Sequence, residues 1–166
     1  YDSNWYGGAQ NGLRGFRISN LSIRAENQDT SYQWAIDSSS SSKYLGGSTG
    51  IWDWYNGSIV MTNVMIEHFA TGFVGVQSDI NEFYGCRFEA CHIGTHIYKR
   101  SDQNRFVNCE WTICDTGFLN DGARGASLIS PIFTFCGSST TYAMDITKSS
   151  EGVDVFGAWF ENQPSS

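Results

Sequence analysis

Proline is nearly absent, with two residues in 166, and only 16% of the chain is charged. Set beside 18 glycines and 15% aromatic residues, that scarcity points away from helices. It favours short, tightly turned strands, because glycine permits the backbone angles of sharp turns. No apolar run approaches the roughly 20 residues of a membrane span, so no membrane insertion is expected, and no basic-then-apolar segment opens the chain. The net charge is −7 and the Lys and Arg are scattered, which excludes a nucleic-acid partner bound through clustered basic side chains. The length suits one domain with a real core. The chain opens on Tyr1 without a methionine, and neither end carries the amphipathic cap a solenoid needs. It is therefore expected to be a segment of a longer chain.

Two nonapeptides stand out among what is present, FYGCRFEAC at 83–91 and FVNCEWTIC at 106–114. Each holds a C-x4-C pair, yet neither offers a C-x2-C spacing, and His68, His92 and His96 share no column. No zinc, other metal or cofactor is expected on that pattern. Aligned on one another, the nonapeptides instead define a repeat with steps of about 22 residues, the first step being close to double. The residue before the first cysteine, position zero, is Asn20, Asn63, Gly85, Asn108, Ser130 and Gly157. Two residues earlier stand Ile18, Met61, Phe83, Phe106, Leu128 and Val155; three later stand Ile23, Ile66, Phe88, Trp111, Phe133 and Phe160. Gly72, Gly94 and Gly117 align nine residues after position zero.

Alternation of sides marks strands, and it breaks once, at position zero. A one-residue corner in an unusual backbone conformation, which Asn and Gly tolerate, accounts for the break. The pattern predicts an all-β parallel β-helix wound from one chain, with about six to seven rungs of roughly 22 residues. A leucine-rich horseshoe has a similar repeat length, but its L-x-x-L-x-L-x-x-N signature is missing. Cys86 and Cys109 fall in one inward column, and Cys91, Cys114 and Cys136 in another, where a free thiol behaves as a small apolar residue.

Candidate functional residues lie where the repeat is interrupted or faces outward. The segment 38–58 reads as an inserted loop, and Trp52, Asp53, Trp54 and Tyr55 within it would offer aromatic faces and a carboxylate to a sugar ring. Packing of the same aromatics over a rung end is the competing reading. Asp79, Arg100, Asp102 and Asp121 fall in polar return loops that would line one edge as a groove for an extended ligand. In the outward column four residues after position zero, Glu67 and Glu89 would be neighbours, while Asp115 flanks the cysteine ladder as a further catalytic candidate. Adjacent carboxylates repel and raise one pKa, as a general acid requires, and sugar hydrolysis uses two such groups. An exposed pair relieved by Arg87 is the alternative. Two residues after position zero, Met65, Ile132 and Trp159 face outward beside Ser22, Arg87 and Glu110, an apolar stripe fitted either to identical chains around a threefold axis or to a covering loop.

The run SDQNRFVNCEWTICDTGFLNDG followed by LISPIFTFCG resembles rungs of the right-handed β-helix of bacteriophage tailspikes, within the pectate-lyase-like superfamily. That resemblance spans about 13–162 and rests on rung sequence. It implies a homotrimer on a virion tail, acting at the host surface, whose partner is a bacterial surface polysaccharide such as capsule, O-antigen or teichoic polymer. It leaves open whether the polymer is cleaved by hydrolysis or elimination or only bound. Polygalacturonase-like Gly-His-Gly and Arg-Ile-Lys motifs are missing, as is an Asp-rich calcium arrangement of the pectate lyase kind, so no catalytic residue carries over. A non-catalytic spike or adhesin shaft and a cellular polysaccharide lyase or hydrolase are the other functional readings.

Overall fold

The computed structural model describes residues 15–25, 49–54, 58–137, 141–147 and 150–162. All of its described elements are strands: β1 (Arg17–Arg24), β2 (Thr49–Trp54), β3 (Val60–Glu67), β4 (Thr71–Val76), β5 (Glu82–Tyr84), β6 (Arg87–Glu89), β7 (Ile93–Tyr98), β8 (Asp102–Val107), β9 (Glu110–Thr112), β10 (Thr116–Asp121), β11 (Arg124–Ile129), β12 (Ile132–Thr134), β13 (Met144–Ile146), β14 (Glu151–Phe156) and β15 (Trp159–Glu161). Every pairing is parallel, and each strand stacks on its counterpart one repeat away. The chain is thus a parallel β-solenoid with three walls. The first wall stacks β1, β3, β5, β8, β11 and β14, and the second stacks β1, β3, β6, β9, β12 and β15. Because β1 and β3 run through the corner, these two walls form one ten-stranded sheet, while β2, β4, β7, β10 and β13 make a separate five-stranded wall.

The corner expected at position zero is present in every turn. Asn20, Asn63, Gly85, Asn108, Ser130 and Gly157 all adopt left-handed angles, with φ from 50° to 64°. Three further ladders of left-handed residues bound the walls. One comprises Gly15, Ser58, Ile80, Gln103, Gly125 and Gly152; a second comprises His68, Ala90, Ile113, Phe135 and Asn162; a third, at the end of the separate wall, comprises Gln77, Lys99 and Gly122. For Ile80 and Ile113 such a φ costs about 1–2 kcal/mol, and repeated stacking holds them there. Ile80 donates its N–H to the Asp102 carbonyl at 2.9 Å, Ile113 to Thr134 at 2.9 Å and Phe135 to Glu161 at 3.1 Å.

Aromatic rings fill the tube at the same stacking period. Phe83 lies on Phe106 with centroids 4.4 Å apart, and a second stack runs Phe88, Trp111, Phe133, Phe160 with ring planes within 17°. The indole N–H of Trp111 donates to Thr95 Oγ1 at 2.9 Å, so this buried polar atom is satisfied. The glycine column explains how such rings fit. A Cβ at Gly94 would stand 2.5 Å from Trp111 and 2.6 Å from the Gly117 carbonyl. All five cysteines are free and buried, stacked in the two expected columns. A hydrogen bond donated to Cys86, with burial, pushes the Cys109 thiol up; bonds to Cys136 and Cys91 act likewise on Cys114. They are core groups.

Two expectations need correction. Residues 49–54, read as part of an inserted loop, form β2 and pair with β4, Thr49 opposite Thr71 and Trp52 opposite Val74. The signal was a Thr-Gly start shared by 49–50, 71–72 and 116–117, which the serine-rich approach obscured. The first interval is also one long turn and not a double step, since β1 pairs directly with β3, Ile18 opposite Met61. The described residues make five complete turns and the first two walls of a sixth.

Candidate functional site

On the second wall, Glu67 closes β3 and Glu89 closes β6, and the two are register partners. Strands in one sheet lie about 4.8 Å apart, so the carboxylates project side by side from the outer surface. Each already has a cationic or polar neighbour. Glu67 lies 3.7 Å from His68 Nε2 and accepts from Ser22 Oγ at 3.4 Å. Glu89 lies 3.0 Å from Arg87 Nε, close enough for an ion pair but not aligned as a hydrogen bond. The same guanidinium stands 3.8 Å from Glu110, whose Oε1 accepts from Thr112 Oγ1 at 2.8 Å. The Arg87 reading and the paired-carboxylate reading therefore describe one cluster.

Beyond the corner at Ala90, His92 Nδ1 and Asp115 Oδ2 are 2.6 Å apart, both partly exposed. Asp115 thus has an imidazole partner that reading the sequence by motif overlooked. A column reading would have found it, because His92 and Asp115 each follow the second cysteine of a nonapeptide. A carboxylate at that distance orients an imidazole.

The remaining candidates scatter. Trp52 is half-buried in β2, Trp54 ends that strand and Tyr55 lies outside the described residues. Asp53, expected to offer its carboxylate to a ligand, is fully buried and accepts from Asn81 Nδ2 at 2.9 Å. The reason is strand alternation: once 49–54 is a wall strand, position 53 must point inward. Asn81 also donates to Ser78 Oγ at 2.8 Å and accepts from the Ile59 N–H at 3.0 Å. Ser101 and Asn104 extend this interior polar seam by one turn, with Ser78 N–H donating to Ser101 Oγ at 3.2 Å.

Asp79 and Asp102 stack one turn apart, and Asp79 Oδ1 accepts from the Asp102 N–H at 3.0 Å. Although Asp79 is exposed at its tip, partial desolvation raises its carboxyl, and the Asp102 and Asp53 charges add to that while the Asp102 N–H opposes it. Arg100 is exposed in the adjoining turn, at a left-handed φ of 55°. Asp121 ends β10, in register with Tyr98 and away from the Asp79 column. It accepts from Thr147 Oγ1 at 3.2 Å and lies 3.9 Å from His96 Nε2. Desolvation lowers the His96 pKa to about 4, so the imidazole is neutral. Among the described residues, no group of three or more His, Cys, Asp or Glu side chains converges as a metal site, and no helix is long and apolar enough to cross a membrane.

No family model matches the chain, and no curated protein matches it either. Among solved structures, the catalytic domain of a GH87 alpha-1,3-glucanase in complex with tetrasaccharides is similar at 14% identity and a TM-score of 0.42, over 86% of this chain. The chain spans 31% of that one's length.

Proposed function

We propose that the chain is a β-solenoid of the tailspike kind that binds an extended bacterial surface polysaccharide along its outer wall and cleaves it with Glu67 and Glu89. The observation that carries this reading is the register pairing of those two carboxylates on an outer surface, bordered by Arg87, His68 and the His92–Asp115 pair. Their strand spacing of about 4.8 Å is near the roughly 5–5.5 Å between carboxyl groups of retaining glycosidases. One acts as nucleophile or base and its neighbour as acid, while Asp115 holds His92 ready as a proton carrier or a donor to a sugar hydroxyl. The apolar outward stripe fits a homotrimer on a virion tail, the assembly that the rung resemblance implies.

Incubation with capsule or O-antigen preparations, followed by assay of new reducing ends and of unsaturated sugars, tests cleavage and separates hydrolysis from elimination. Glu67→Gln with Glu89→Gln is expected to lower product formation by on the order of 100-fold or more, with binding retained. Unchanged cleavage in the double variant removes the assignment. The ion pair already engaging Glu89 favours one second reading, a glycan-binding shaft without chemistry. It predicts retention of the polymer with no product from the unaltered protein.

A further inference from the structure

The corner that follows the second wall carries two side chains that neither burial nor backbone preference explains. Ile113 and Phe135 stand at left-handed φ values of 54° and 52° and are 56% and 53% exposed. A β-branched or bulky residue held in that region is an outlier, and strain of this kind gathers at functional sites. Both residues lie on inner turns. The Ala90 N–H donates to the Thr112 carbonyl, Ile113 to Thr134 and Phe135 to Glu161, so a further turn stacks on either side of each. We propose that Ile113 and Phe135 form an apolar subsite that receives the C–H faces of uncharged sugars, one and two turns beyond Glu89. This subsite rests on the reading of that wall as the one the polysaccharide follows.

Position separates these two from other strained residues. Ile80 is as strained and as exposed, but the other members of its ladder, Gly15, Ser58, Gln103, Gly125 and Gly152, are polar or glycine. It stands alone. Ile113 and Phe135 are neighbours in a ladder whose earlier members, His68 and Ala90, directly follow Glu67 and Glu89 in the chain. Successive members lie one strand spacing apart, about 4.8 Å, close to the advance of an extended glycan per pyranose ring. A polymer with its scissile bond at Glu67 and Glu89 therefore presents the following rings to Ile113 and then to Phe135.

The surroundings select the sugar. An aromatic ring and an aliphatic branch offer no conventional hydrogen bond and match the C–H face of a pyranose. Glu67, Glu89, Glu110 and Asp115 border the strip, against the single guanidinium of Arg87 and the imidazoles of His68 and His92. That excess of negative charge repels a uronic acid or a phosphate-bearing sugar. The same carboxylates accept hydrogen bonds from the hydroxyls of a neutral one, the pairing of apolar lining with a few placed polar groups that ligand sites use.

Affinity electrophoresis in gels containing neutral O-antigen or uronic-acid capsule tests both claims. The unaltered protein is expected to be retained more strongly by the neutral polymer. Ile113→Asn and Phe135→Asn, each made in the Glu67→Gln, Glu89→Gln protein so that no polymer is consumed, should weaken that retention by on the order of tenfold. Asparagine suits the left-handed corner, and circular dichroism checks that both variants fold. Phe135→Trp should keep retention, and Ile80→Asn should leave it intact. Weakened retention in the Asn variants supports the subsite even where the unaltered protein releases no product, an outcome that removes cleavage alone. Full retention by both Asn variants, beside product from the unaltered protein, overturns the subsite and leaves cleavage standing. Stronger retention by the uronic-acid capsule, or retention by neither polymer, also overturns it.

Discussion

Along the second wall, the inward and outward columns obey different rules. Inward, Ile66, Phe88, Trp111 and Phe133 are uniformly apolar and completely buried. Outward, the early turns carry Glu67, Arg87, Glu89 and Glu110 in contact with one another, whereas the late turns expose Ile132, Phe135 and Trp159. A buried ring must match the ring above it and the ring below, so the inside permits little variety. Water and side-chain freedom satisfy the outside, which is therefore where successive turns can differ and where recognition can reside.

The most forceful way to break this comparison is Trp111→Ala, which removes the middle of the stack and the bond to Thr95. A loss of about 3–5 kcal/mol is expected from denaturant unfolding, against less than about 1 kcal/mol for the outward Glu67→Gln, Glu89→Gln pair. Similar losses at both sites would refute the division between inner and outer columns.

His96 gives the next effect, through pH. Burial holds its pKa at about 4 against an ordinary 6.5, so the unfolded chain takes up the proton first as pH falls. Its contribution is complete above about 6.5 and is lost between there and about 4, amounting to up to about 3 kcal/mol. Unfolding midpoints followed across that window should decline less in His96→Leu than in the unaltered protein.

Gly94→Ala sharpens the picture of the interior by adding one carbon where Trp111 and the Gly117 carbonyl stand closer than a Cβ tolerates. A destabilisation of about 1–3 kcal/mol is expected, read as a lower melting temperature. The smallest effect has the opposite sign. Ile113 is 56% exposed and strained at φ 54°, so Ile113→Asn should gain up to about 1 kcal/mol, measured by the same unfolding curve.

The inner columns were legible because a fold that stacks like on like writes its period into the apolar residues, and the cysteine nonapeptides marked that period. Position zero was legible because Asn, Gly and Ser concentrate there. Ile80, Ala90, Ile113 and Phe135 in the other corner ladders were not, since they carry no turn signature and are bent by hydrogen bonds to the neighbouring turn. The Glu67–Glu89 neighbourhood followed from the column count alone. The burial of Asp53 required knowing that 49–54 is a wall strand, and the His92–Asp115 contact lay in a column that the motif view ignored.

The sequence by itself determined the repeat, the inward faces and the pairing of neighbouring rungs, because burial acts on residue type at fixed spacing. Only the tertiary structure decided which polar groups meet around corners and which carboxylate turns inward. Those outcomes depend on backbone angles that stacking imposes on residues with no preference for them.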